Sequence, residues 1–166
     1  MSEDVSLSTN LIYVHTLKRS NFEDPTNPNF ENRILSELGD PKDEFRLDFD
    51  IGYREFTFGY RLRFIGRMLT SSFENFRDGI NGLPAANADA IAPQQFPIVT
   101  YSDFRAEWNV DSEGGAGNGS KGLLFYVGVD NAFNQLPPLG STATGGGSAI
   151  YDFRGRSFYA GARARF

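Results

Sequence analysis

The sequence predicts an all-β chain, an antiparallel up-and-down meander of about six strands. Six segments alternate apolar and polar residues with period two, the period of a strand whose successive side chains point to opposite faces. The connections between them are long and short in turn, as in a sheet whose strands run up and down between two ends. The last nine residues, Phe158 to Phe166, alternate strictly and close on an aromatic.

The first segment sets Val5, Leu7, Thr9, Leu11 and Tyr13 against Ser6, Ser8 and Asn10, with Ile12 and Val14 blurring its polar side. In the second, Phe45, Leu47, Phe49, Ile51 and Tyr53 oppose Arg46, Asp48, Asp50, Gly52 and Arg54. The third, reached by a tight connection near Arg54 and Glu55, alternates Phe58, Tyr60, Leu62 and Phe64 with Gly59, Arg61, Arg63 and Ile65. Phe104, Ala106, Trp108 and Val110 face away from Asp103, Arg105, Glu107 and Asn109 in the fourth. The fifth places Leu123, Phe125, Val127 and Val129 opposite Leu124, Tyr126, Gly128 and Asp130. In the sixth, Phe158, Ala160, Ala162, Ala164 and Phe166 share one face, and Tyr159, Gly161, Arg163 and Arg165 the other.

Between these segments, residues 21–43, 70–99 and 131–155 form long connections, while 54–57 and the Gly-rich 111–122 are short. The long connections therefore share one end of the sheet. Short turns at one end, long loops at the other and a fully alternating terminal strand are the features of a transmembrane β-barrel of the outer-membrane type, apolar toward lipid and polar toward the lumen. On that expectation the chain ends at the periplasmic, short-turn side. Tyr13, Tyr60, Trp108 and Phe158 are candidates for the interfacial aromatic girdles.

Composition agrees with this expectation. No stretch approaches the roughly 18 apolar residues of a spanning helix, and the mean hydropathy of −0.38 looks water-soluble. A barrel strand needs only about 9–11 residues per crossing, half of them polar. A net charge of −5 argues against nucleic acid, whose phosphates need a basic surface. The start, MSEDVSLS, has neither a basic nor an apolar leader region, so the export signal of an exported protein is expected upstream of this chain.

No catalytic constellation emerges, and no cofactor or metal is expected. His15 is the single histidine and cysteine is absent, which removes His clusters and thiol nucleophiles. Glu31, Glu37, Asp40 and Asp43 lack the spacing of a calcium loop and read as a solvated surface. Ile34, Leu35 and Leu38 have helical spacing, which predicts one or two helical turns within 32–38. The Gly-rich 142–148 lacks the lysine of a phosphate loop and reads as a plain loop. The charged residues of the polar faces, Arg46, Asp48, Asp50, Arg61, Arg63, Arg105, Glu107, Arg163 and Arg165, are expected to line the lumen as a ladder in which each carboxylate meets an arginine.

Particular residues also match a known family. Asn131, Phe133, Pro137 and Pro138, followed by Tyr151, Asp152, Gly155, Arg156, Phe158, Tyr159 and the final Phe166, resemble the C-terminal end of TonB-dependent outer-membrane receptors. The passage ELGDPKDEFRLDFDIGY, residues 37–53, and YSDFRAEW, residues 101–108, are similar to earlier strands of the same family, in the same order. The resemblance implies the last quarter or so of a 22-stranded barrel that imports a scarce nutrient, such as a ferric siderophore, with energy supplied from the inner membrane. The N-terminal plug and the earlier strands would lie outside this chain.

The implied partners are outer-membrane lipid, the remainder of the barrel and its plug, the TonB energy-coupling complex through the plug, and the barrel-assembly machinery. That machinery would read the terminal strand, through Phe166, Phe158 and Tyr159. The piece alone would transport nothing and is not expected to be an enzyme. A soluble antiparallel β-sandwich that binds a ligand through its loops is the alternative, and it requires a second layer over the apolar face.

Overall fold

The computed structural model describes residues 5–22, 25–29, 31–70, 95–111, 122–139, 141 and 150–165, with the backbone alone at 111 and 165. Six long strands make one antiparallel sheet: β1 (Val5–His15), β4 (Asp43–Tyr53), β5 (Phe56–Ile65), β8 (Val99–Asp111), β9 (Gly122–Asp130) and β10 (Ser157–Arg165). They lie side by side in chain order, so the meander is as expected, and no α-helix occurs among the described residues. The sheet is open rather than closed: β1 and β10 are its two edges.

Register sorts the faces as the period-two pattern requires. One row runs Thr9, Phe49, Tyr60, Phe104, Val129, Phe158 across all six strands, and the next runs Leu7, Ile51, Phe58, Ala106, Val127, Ala160. A slip of one residue in any pair would turn that strand's apolar set to the other side. The strand ends also step sideways. Val5 is level with Ala162, yet β10 runs on to Arg165; at the other end Phe158, near the start of β10, is level with Thr9, well short of His15. Both ends therefore shift in the same direction, by roughly three to five residues across the sheet. That approaches the roughly one residue per strand that accompanies a tilt of about 36° in a closed barrel.

The connection between β4 and β5 is the two-residue turn Arg54–Glu55, with Arg54 at φ 52° and its guanidinium over the Tyr53 ring. Arg54 thus belongs to the turn and not to the polar face of β4. At the opposite end the long connections contain two small hairpins that the pattern did not predict. β2 (Ser20–Asn21) pairs with β3 (Asn32–Arg33), and β6 (Met68–Leu69) with β7 (Gln95–Phe96).

The helical turns expected within 32–38 do not form. Asn32 and Arg33 are strand, Ser36 takes φ 75° and Gly39 φ 103°, values outside the right-handed helical region. The apolar residues there serve packing instead: Leu35 is buried, and Leu38 joins a cluster of Ile65, Met68, Phe96, Val99, Tyr101 and Tyr151. That cluster lies on the polar face, at the end of the sheet where the long connections emerge.

Candidate functional site: a charged face and its apolar reverse

The polar face is built around Asp48. Arg46, two residues earlier on the same face, donates from Nε to Asp48 Oδ2 at 2.7 Å. Arg61, directly opposite on β5, donates from Nε to Oδ1 at 2.6 Å. One tier further, Arg105 Nη2 reaches Asp50 Oδ1 at 3.3 Å, and its Nε lies 3.4 Å from Glu107 Oε1. Arg105 spans a whole strand to do this, because Gly59 stands between it and Asp50; a Cβ there would meet Asp50 Oδ1 at 2.7 Å. Charge-assisted bonds of this kind keep ionised groups compatible with a partly enclosed wall.

Carboxylates thus meet arginines among Arg46, Asp48, Asp50, Arg61, Arg105 and Glu107, while two neighbours make other contacts. Arg63 stacks on the ring of Tyr101, 4.6 Å from its centroid, in the cation–π manner open to a guanidinium. Asp103 accepts a hydrogen bond at 2.8 Å from the backbone N–H of Asn131 and thereby fixes the end of β9.

Arg163 stands opposite Leu124 and Arg165 opposite Gly122 in the β9–β10 pair; the side chain of Arg165 and all of Phe166 lie outside the described residues. The same pair carries a reciprocal fit. Tyr159 faces Gly128 and Tyr126 faces Gly161, each ring lying where a Cβ of the opposing glycine would stand. Phe158, on the reverse face, is 76% exposed.

That reverse face is bare along its length. Leu7, Phe58 and Val127, from the first, third and fifth long strands, are each more than half exposed, and no second sheet lies over them among the described residues. Aromatic rings line it in two bands. Near the short turns, Phe56, Trp108 and Phe125 stack in one row at 6.1 and 5.8 Å, beside Tyr53. Near the long connections, Phe45 and Phe64 stack at 4.9 Å next to Tyr13.

Phe45 and Tyr53 are eight residues apart on β4, about 27 Å at roughly 3.4 Å per residue. A tilt of about 40° reduces this to about 21 Å, near the ~25 Å apolar band of outer-membrane barrels. Of the four girdle candidates, Tyr60 sits between the bands; its hydroxyl lies 3.2 Å from Ser102 Oγ, which supplies the partner that an aromatic hydroxyl on an apolar face requires.

Three residues that organise the long-connection end carried little sequence signal. Asn131, 1% exposed with φ 51°, donates from Nδ2 to Gln135 C=O at 2.8 Å and accepts the Gln135 N–H at 2.7 Å. Its side chain thus substitutes for a paired backbone and turns the chain. Asn134 Oδ1 accepts the N–H of Arg156 at 3.1 Å, which brings the segment before β10 back to the end of β9. The third, Tyr101, accepts the N–H of Asp152 at 3.0 Å through its hydroxyl. A legible hint for the first two was their place in the Asn-x-Phe-Asn run; Tyr101 opens the YSDFRAEW passage, which gave no sign of the contact with Asp152.

Outside the strands, Lys18 and, after it, Ser20 hold the Glu31 carboxyl below its ordinary range. Burial pushes the Tyr151 hydroxyl up to about 12. Among the described residues no group of three metal-ligating side chains exists, and no helix is long and apolar enough to cross a membrane. What the sheet offers is one polar face, ion-paired across β4, β5 and β8, and one apolar face that runs over all six strands. No family model, no curated protein and no solved structure matches the chain.

Proposed function

We infer that the chain is the C-terminal segment of the β-barrel of a TonB-dependent outer-membrane receptor, one that takes up a scarce nutrient such as a ferric siderophore. The observation that carries this reading is the uncovered apolar face, with one aromatic row near each of its ends. In water such a face would drive aggregation; against acyl chains it is the stable arrangement. The ion-paired reverse face then lines the interior, and the stagger of the strand ends matches a tilted barrel wall.

Both edges need partners under this reading. A row of unpaired N–H and C=O groups in hydrocarbon costs several kcal/mol per group, so β1 and β10 pair with the other strands of the receptor barrel. A plug within the barrel would meet the charged wall and connect it to the energy-coupling complex.

Trp108, the single tryptophan, tests the orientation. With Trp108 kept as the one tryptophan of the complete receptor barrel, and that barrel reconstituted in vesicles whose lipids are brominated along the acyl chains, Trp108 emission is expected to be blue-shifted and quenched. Unquenched emission from protein that stays in the aqueous fraction would instead support the soluble sandwich and overturn the membrane reading.

A further inference from the structure

We propose that a groove at the β1 edge of the polar face seats a basic side chain, a lysine or arginine of the barrel strand that pairs with β1, and that Glu44 binds its charge. Register puts Val14, Glu44, Ile65 and Val99 in one row across β1, β4, β5 and β8, and Ile12, Arg46, Arg63 and Tyr101 in the next. Toward β8 these rows are covered: Ile65, Val99 and Tyr101 are buried in one cluster with Tyr151. Toward β1 they are not. Ile12 is 51% and Val14 42% exposed, and between them and Ile65 and Ile150 lies a groove of about 340 Å³. Leu11 and Tyr13, on the reverse face, are more than half exposed as well. This end of β1 is therefore apolar on both sides, the pattern of a strand that is covered on both faces.

The charges lining the groove fix the chemistry of what covers it. Arg46 is committed to Asp48 through Nε at 2.7 Å, and Arg63 to the face of the Tyr101 ring. Glu44, the third charged residue of the lining, has no hydrogen-bond or ion-pair partner among the described residues. A carboxylate set beside Val14, Ile65 and Ile150 is complemented by a cation whose stem covers those aliphatic groups. Lysine and arginine combine such a stem with a charged head.

The reach required is one that the sheet already displays. Arg105 crosses a whole strand, over Gly59, to meet Asp50 at 3.3 Å. A strand paired with β1 stands at the same remove from β4, and the extra methylene of glutamate lengthens the reach over Val14. Since β1 gains that neighbour only within a larger barrel, the pairing rests on the receptor reading. A plug inside the barrel would face the same wall and is the competing occupant.

The complete receptor, carrying a photoreactive benzophenone amino acid in place of Val14, tests the pairing. After illumination, the captured peptide is expected to come from the strand immediately upstream of β1. It should hold a lysine or arginine at the captured position or two residues from it, on the same face. Replacing that basic residue by Gln and making Glu44→Gln, singly and together, then gives a double-mutant cycle for reversible folding into liposomes. Coupling of about threefold to tenfold in the folding equilibrium is expected. Capture of the plug, of a second receptor molecule, of a strand with no basic residue on that face, or of nothing would overturn the pairing, as would strictly additive effects. Trp108 quenching reads the opposite face of the sheet, so the receptor reading would survive each of those results.

Discussion

Gly128 and Gly161 owe their place to what stands opposite them. Each leaves room for the tyrosine across the β9–β10 pair, and a methyl group at either position would occupy the volume of that ring. Gly128→Ala should therefore expel Tyr159 and destabilise the terminal hairpin by about 1–3 kcal/mol, the usual cost of overpacking; a urea titration in micelles measures it. Tyr151 makes a prediction of opposite sign. Its buried hydroxyl has no hydrogen-bond partner among the described residues, so Tyr151→Phe should stabilise the chain by up to about 1 kcal/mol.

The same hydroxyl sets a pH dependence. Its folded-state pKa is raised from 10.0 to about 12, so between those values the unfolded chain releases the proton first. Stability contributed by the neutral form is full below pH 10 and falls as pH rises toward 12. In Tyr151→Phe that fall should disappear, which melting curves recorded across this window would detect.

At the scale of elements, the six long strands were legible because each is long enough to display several periods of alternation, and because one whole face meets a different environment from the other. Ile12, Val14 and Ile65, the residues that blurred the pattern, all lie near the long-connection end, where Ile65 is buried beneath the connections. The hairpins β2–β3 and β6–β7 were not legible: two residues per strand cannot express a period. Nor was the fate of 34–38, where the spacing of Ile34, Leu35 and Leu38 suits a helix, yet the chain turns, buries Leu35 and presents Leu38 to a cluster assembled from distant segments.

The faces differ in what they tolerate. Phe58, on the apolar face between the aromatic bands, should not accept a charge: Phe58→Arg is expected to cost about 2–4 kcal/mol in a bilayer. Thr57→Arg, its neighbour on the polar face and opposite Glu107, should stay within about 0.5 kcal/mol of the parent. Equal effects of the two substitutions on reversible folding into liposomes would count against the assignment of the faces.

For the whole molecule, the sheet is a wall rather than a container. Its strand ends are staggered, and its edges β1 and β10 are open; on the receptor reading, closure requires strands that these six do not supply. On the receptor reading, the terminal strand is also where assembly machinery would engage. Phe166→Ser in the complete receptor should lower the amount inserted in the outer membrane, seen as loss of the heat-modifiable band on gels; unchanged insertion would remove Phe166 from that role.

The sequence by itself determined the number of long strands, their up-and-down order, and which residues share a face, because strand geometry converts a period of two directly into two surfaces. Only the tertiary structure decided that Arg105 reaches past Gly59 to Asp50, that Tyr126 and Tyr159 nest over glycines, and that Leu38, Met68, Phe96 and Tyr151 gather in one cluster with Tyr101. Those outcomes depend on register between strands and on contacts between residues far apart in the chain, and periodicity within one segment carries no record of either.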